Sequence, residues 1–320
     1  MKKTIFILTL LLPVCFLFAQ NNQSYIVQDG NGSYVKVTQE GDLNFSNVYT
    51  DGDRNAMSFV SQEGAGINNS NVNQFGNGNS VDVSQENLYT KLYDENTSDI
   101  VQIGNRNSAK VDQVIVLSGN FPLGGKLNAD VDQNGNGNSA DVGQEGLWNN
   151  ARINQLGNRG IANQYQGTSK FYDGHAYISD ARIRQGPRVD QFSKAQQDQV
   201  GYQNDAFIIQ NSRRGSVALQ VQINDVGTVM GHRGIDVNQA FIEQRGGNNE
   251  AYQLQYYTVR AMPNDANVYQ RGMGNFSQEV QIGGDNYSDI VQVGDRNKSN
   301  VLQRANGVSD PATTGLPFSY

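Results

Sequence analysis

A seven-residue pattern, Asn-x-Ala/Ser-x-Val/Ile-x-Gln, recurs 22 times along the chain and is usually followed by x-Gly-x-x. Clean copies run from Asn107 to Gln113 and from Asn297 to Gln303. A repeat at fixed spacing decides architecture before any other argument, because each unit must be completed by its neighbours. Counting each unit back from its last residue, position 0 is Gln in every unit except one, where Thr50 stands. Position −4 is Ala or Ser in all units but two, which carry Val35 and Val81. Position −2 is Val or Ile in 17 units and position −6 is Asn in 15.

The specified residues alternate, which is the period of a β-strand, so they share one face. That face is small and apolar in the middle and amide at both ends. The other face carries residues such as Lys110, Asp112, Asp141 and Arg152, and should meet water. Seven strand residues and a four-residue turn give a basic spacing of 11. The amide ladders are assigned to Gln28, Gln39, Gln62, Gln74, Gln85, Gln102, Gln113, Gln133, Gln144, Gln155, Gln292 and Gln303, with Asn44, Asn68, Asn107, Asn138, Asn149 and Asn297.

Gly stands two residues after position 0 in 14 units, and each of those is followed by the next unit after 11 or 12 residues. Gly accepts positive φ, which a tight reversal needs. Gly30, Gly41, Gly64, Gly76, Gly104, Gly146, Gly157, Gly283 and Gly294 are therefore read as turn glycines. Longer gaps follow Gln85, Gln113, Gln166, Gln185, Gln222 and Gln255, and all six of those units lack this Gly. Pro122, Pro187 and Pro263 fall in gaps, consistent with the loss of a ladder hydrogen bond that proline causes inside a strand.

Two signs pair the units. Five of the six longer gaps follow even-numbered units, so large loops share one edge. The five exceptions at position −2, Gln164, Gln197, Gln220, Gln253 and Glu279, fall in consecutive even units. Stacking every second unit places them in one inner column, where each amide donates to the next and an isolated burial penalty is avoided. The predicted fold is all-β: a solenoid of about 11 two-stranded rungs from 22 strand–turn units, two parallel sheets facing each other, amyloid-like. At roughly 4.8 Å per rung the stack is about 50 Å long.

The rest of the composition bounds function. Residues 1–19 read as a secretory signal: Lys2 and Lys3, an apolar run to Phe18, and a cleavage point after Ala19. Cleavage removes Cys15, the only cysteine, and moves the formal charge from −7 to −9, which disfavours nucleic acid. Residues 20–303 form the repeat region and 304–320 a C-terminal tail. No cofactor or metal is expected: His175 and His232 sit in inserted stretches without cysteines, and no nucleophile, base and acid converge. Glycine-rich segments lack the lysine of a phosphate loop. Outward Asp82, Asp99, Asp130, Asp132 and Asp141 either slow premature stacking or are ordinary solvated surface. Tyr165, Phe207, Tyr252, Tyr269, Phe276 and Tyr287 are outward aromatics, read as scattered surface in preference to a sticky stripe.

The extended motif Gln-x-Gly-x-x-Asn-x-Ala/Ser-x-Val/Ile-x-Gln resembles the curlin repeat of bacterial curli subunits. It is complete from Gln102 to Gln113, Gln144 to Gln155 and Gln281 to Gln303, and the resemblance spans roughly Asn22 to Gln303. It implies a secreted β-solenoid subunit that assembles outside the cell into functional-amyloid fibres for adhesion and biofilm matrix. The implied partners are further copies of itself, a dedicated outer-membrane secretion pore with accessory proteins, and a nucleator or other fibre subunit. A major subunit, a nucleator and a related fibre component all remain open. The first unit, Asn22 to Gln28, is a full repeat, and end units that match internal ones favour end-to-end stacking. The runner-up is a capped monomeric solenoid acting as an adhesin or a polysaccharide-binding or -cleaving protein. Its site would be a loop edge bearing His175, Arg182, Arg184 and Arg188; an enzyme is not expected.

Overall fold

The structure is a computed structural model. It describes residues 21–52, 56–64, 66–88, 94–115, 125–167, 179–189, 193–201, 204–225, 238–258 and 264–304. The signal segment, the tail beyond Arg304, His175 and His232 lie outside the described residues, as do most residues of the longer gaps.

Among the described residues, twenty-two strands alternate between two sheets. One sheet holds β1 (Gln23–Asp29), β3 (Asn44–Asp51), β5 (Ile67–Phe75), β7 (Glu95–Ile103), β9 (Lys126–Asn134), β11 (Asn149–Gly157), β13 (Ser179–Val189), β15 (Asn204–Arg214), β17 (Asn238–Gly247), β19 (Asp265–Met273) and β21 (Tyr287–Val293). The other holds β2 (Tyr34–Gly41), β4 (Met57–Gly64), β6 (Ser80–Asn87), β8 (Ser108–Ile115), β10 (Ser139–Glu145), β12 (Ile161–Gly167), β14 (Lys194–Gly201), β16 (Val217–Asp225), β18 (Glu250–Thr258), β20 (Phe276–Ile282) and β22 (Lys298–Arg304). Every pairing is parallel and skips one strand, so an odd strand and the next even strand make one rung and the chain coils through 11.

Register follows the repeat. Gln102 pairs with Gln133, Ile100 with Val131 and Ser98 with Ala129, and the same positions match in every pair. Even where β13 and β15 carry irregular ends, Gln185 still meets Gln210. A one-residue slip would turn the inner set outward, so burial of positions 0, −2 and −4 pins the register. The interior is a narrow column of Val, Ile and Ala, including Val72, Ile100, Val131, Ile153 and Ile208.

Three departures from the simple pattern have local causes. Leu127 takes the −6 position where Asn is usual, and it packs with Ile115 and Leu147 in a small apolar cluster instead of bracing a turn. Leu254, Val280 and Ile282 occupy outward positions yet are buried, with Val221 and Tyr256 packed against them. The outer face is therefore not wet along its whole length, as alternation alone implies. Pro187 falls inside β13 and not in a gap, but beyond Gln185, where the register with β11 shifts and the regular ladder has ended.

All nine predicted turn glycines have positive φ. A second reason for them lies between rungs. A Cβ on Gly41 would stand 2.0 Å from the carbonyl oxygen of Gly64, and one on Gly104 would stand 2.0 Å from that of Gly135. The glycine column thus permits backbone contact along the axis. The residue two further on is also left-handed, and here the chain accepts Leu43, Arg106, Trp148, Arg159, Asp285 and Arg296. An L-residue with a Cβ costs roughly 1–2 kcal/mol there.

Candidate functional site: amide ladders and open ends

The alternation that places Gln at position 0 of each inner face leaves every such amide one rung from the next. In the even sheet the result is continuous. Gln39 Nε2 donates to Gln62 Oε1 at 2.8 Å, Gln62 to Gln85 at 2.9 Å, Gln85 to Gln113 at 2.8 Å and Gln113 to Gln144 at 2.9 Å. The chain of bonds then passes through Gln166, Gln199, Gln222, Gln255 and Gln281 and ends where Gln281 donates to Gln303 at 2.9 Å. The second hydrogen of each amide crosses the interior to a backbone carbonyl of the odd sheet, such as Gln113 to Thr97 and Gln144 to Asn128. One buried side chain therefore ties rung to rung and sheet to sheet. Buried amides in such a fully connected network are strong, and the loss of one member orphans its neighbours.

The odd sheet runs the same ladder from Gln74 through Gln102, Gln133, Gln155, Gln185, Gln210, Gln244 and Gln270 to Gln292. It is interrupted at Thr50, which pairs in register between Gln28 and Gln74. The Thr50 hydroxyl is fully buried and has no partner. Ser58 Oγ donates to Gln74 Oε1 at 2.8 Å and fills the acceptor that Thr50 cannot reach. Replacing Thr50 with Gln is expected to restore the ladder and stabilise the chain by about 1 kcal/mol. Guanidinium unfolding midpoints check this, and an unchanged or lower midpoint would show that rung two lacks room for the amide.

The Asn positions brace turns more than they ladder. Asn107 Nδ2 donates to the carbonyls of Ile103 and Gly135, while Asn107 Oδ1 accepts from the backbone N–H of Asn138. Asn138 repeats this to Gly157 and Gly160, and Asn297 donates to Val293 and Asn275. Asn149 donates to the Glu145 carbonyl. By contrast, Asn44, Asn68 and Asn96 form a direct side-chain ladder, joined by bonds of 2.8 and 2.9 Å.

The inner polar column forms as the even-unit parity predicts. Gln164 donates to Gln197, Gln197 to Gln220 and Gln220 to Gln253, each at 2.9 Å, and Gln253 donates to Glu279 Oε2 at 3.2 Å. Each Gln also donates to a carbonyl of the facing strand, at Arg152, Arg182, Phe207 and Phe241. Glu279 closes the column with 1 % exposure, and its Oε1 has no partner. Burial pushes the Glu279 carboxyl up to about 7; bonds from Ser288 and Gln253 oppose the shift, and Asp265 and Asp289 add to it.

The outer residues divide differently from their sequence reading. Arg182 and Arg184 lie within β13, in register with Arg152 and Asn154 of β11, and so belong to a sheet face and not to a loop edge. Arg182 pairs with Asp180 at 2.6 Å. Lys110 stands between Asp82 and Asp141 in the sheet, and Arg152 meets Asp130 at 3.2 Å. Three of the five outward aspartates thus stand beside cations, which weakens them as a brake on stacking. Four of the six outward aromatics meet another ring: Phe207, Phe241 and Tyr269 stack along the axis at 5.6 and 5.2 Å between centroids, and Tyr252 meets Phe276 at 5.9 Å. Among the described residues no cluster of His, Cys, Asp and Glu could hold a metal ion.

The two ends carry complementary needs. Rung one presents Gln39 with an amide oxygen that receives nothing from the described residues, and Ile26, an inner residue, is 44 % exposed. Rung eleven presents Gln303, whose Nε2 donates once among the described residues, to the Tyr287 carbonyl. Residues 127–157 match the curlin associated repeat. The curlin repeat is matched within that segment of the chain. The match covers most of β9 and all of β10 and β11, and the remaining strands continue the same two parallel sheets on either side. No curated protein and no solved structure matches the chain significantly. The curlin repeat and the β-solenoid together are compatible with a curli-like structural subunit.

Proposed function

We propose that the chain is a structural subunit, not an enzyme, that is secreted and polymerises end to end into an extracellular, amyloid-like fibre for adhesion and biofilm matrix. The observation that carries this reading is the match between the first and last rungs. With rung one of one copy on rung eleven of another, Gln303 Nε2 donates to Gln39 Oε1, Ile290 meets Ile26, Val301 meets Val37 and Ser288 meets Ser24. Each contact repeats one already made inside the molecule. Parallel strands at an open edge offer their backbone groups to the next copy, and a matched side-chain ladder sets register. As part of the same proposal, the resemblance to curli subunits supports secretion through a curli-type pore, with accessory proteins and a nucleating or second fibre subunit as partners.

The test uses the purified chain without residues 1–19. Unbranched fibres with a meridional reflection near 4.8 Å are expected, together with a lag that sonicated fibres abolish. A chain that stays monomeric for days at high concentration, seeded or not, would sink the proposal.

A further inference from the structure

The tight edge of the solenoid, where odd strands turn into even ones, carries a feature that neither folding nor end-to-end stacking requires. In rungs three to six the turns read Gly76-Asn77-Gly78-Asn79, Gly104-Asn105-Arg106-Asn107, Gly135-Asn136-Gly137-Asn138 and Gly157-Asn158-Arg159-Gly160. The third residues of these turns form a column of Gly78, Arg106, Gly137 and Arg159. In that column Arg106 lies 3.6 Å from the Cβ position of Gly78, and Arg159 lies 3.6 Å from that of Gly137. Both arginines have left-handed φ, 58°, at the position where the alternate rungs use Gly. The same turn position holds Leu43, Trp148 and Asp285 elsewhere, so the backbone there tolerates a side chain without dictating arginine.

The second residues form an outer asparagine ladder. Asn136 Oδ1 accepts from Asn105 N at 2.8 Å and Asn105 Nδ2 at 3.1 Å, and Asn158 Oδ1 accepts from Asn136 N at 2.8 Å and Asn136 Nδ2 at 3.3 Å. Both lone pairs of each oxygen are consumed, so these side chains keep only N–H donors for any visitor. None of the four turns contains an acidic residue, although the whole chain has a formal charge of −7. The groove they line has a volume of about 650 Å3. Phe75 and Ile103, 37 % and 42 % exposed, directly precede two of the turns in the chain.

We propose that this edge binds a linear acidic polysaccharide along the solenoid axis. The guanidiniums stand two rungs, roughly 10 Å, apart and meet uronate carboxylates, while the asparagine N–H groups meet ring and hydroxyl oxygens. Two cations on an acidic chain give little counterion release, so a phosphate polyanion is the poorer fit. The edge runs along the axis and stays open whether the chain is alone or stacked.

The test immobilises the chain without residues 1–19 and measures polygalacturonate binding by biolayer interferometry. Methyl-esterified polygalacturonate, dextran and double-stranded DNA run in parallel. The double variant Arg106→Gly/Arg159→Gly copies the residues of the alternate rungs, and an unchanged circular dichroism spectrum verifies its fold. Polygalacturonate should bind more tightly than the ester, dextran or DNA, and the double variant should weaken it about tenfold or more while Lys36→Gln does not. Equal binding of the esterified polymer, preference for DNA, or full retention by the double variant would each overturn the proposal.

Discussion

Replacing Glu279 with Gln should stabilise the fold at pH 7 by about 3 kcal/mol and remove a pH dependence. The carboxyl is buried, one oxygen is unpartnered, and its pKa rises from 4.5 to about 7. Each tenfold change in its proton affinity corresponds to about 1.4 kcal/mol. The sign follows from proton counting. Between pH 4.5 and 7 the folded chain keeps a proton that the unfolded chain has released, so stability falls as pH rises through that window. Below 4.5 both states hold the proton and the penalty is absent. Burial also raises the Asp265 carboxyl, so the parent keeps some slope at the acid end from other groups, and the difference between parent and variant isolates Glu279. A Gln here accepts from Gln253 as before, and its Nε2 can reach the carbonyl of Asn267, which stands in register with the Phe241 carbonyl used by Gln253. Guanidinium midpoints at about pH 4.5, 6 and 8 should converge for the two proteins at acid pH and separate above it. A parent curve that does not fall from pH 4.5 to 7 relative to the variant refutes the assignment.

The column that ends at Glu279 is legible without coordinates because it depends only on parity: five polar residues in consecutive even units have one arrangement in which all are neighbours. The strands, their register and the turn glycines are legible for a related reason, since a period-two pattern with one buried face leaves few alternatives. What stays hidden lies between rungs. Nothing within one unit shows that a Cβ on Gly41 would strike Gly64, because the two are 23 residues apart and meet only after coiling. Gly52 is the sharpest case. Its φ is not positive, and the turn argument does not apply to it, yet a Cβ there would stand 2.2 Å from the Gly76 oxygen. Ser58 reads in sequence as a small inner residue; its hydroxyl becomes the substitute donor for Gln74 only because Thr50 is short. The left-handed Arg106 and Arg159 escape a sequence reading because arginine carries no turn signal of its own, although Gly at the same place in alternate rungs is a pointer to them. Analogy with Gln predicts that Asn also ladders. Its shorter side chain reaches backbone carbonyls around the turn, as the bonds from Asn107 to Ile103 and Gly135 show.

Gly135→Ala and Gly294→Ala should differ sharply, and the difference separates folding from assembly. Gly135 has φ of 137°, and a Cβ there would stand 1.7 Å from the Gly157 carbonyl oxygen in the next rung. Neither a flexible side chain nor a loop can yield, because the obstacle is backbone inside a hydrogen-bonded ladder. The substitution should cost about 3 kcal/mol or more and lower the unfolding midpoint accordingly. Gly294 occupies the same turn position in rung eleven, with φ of 103°, but among the described residues the nearest atom to its Cβ is Asn297 Nδ2 at 3.7 Å. Alone, the chain should lose only the backbone contribution, about 1–2 kcal/mol. In an end-to-end stack the Gly294 Cβ would point at the Gly30 carbonyl of the next copy, the contact that Gly30 itself makes with Gly52 within the chain. The Gly294→Ala chain should therefore fold, yet block elongation when it sits at a C-terminal fibre end. Added to growing parent fibres, it should stop that end at substoichiometric amounts while adding normally through its N-terminal rung. Fibres that elongate at the parent rate with Gly294→Ala incorporated would show that the solenoid ends do not stack rung on rung, even if the chain polymerises by some other surface.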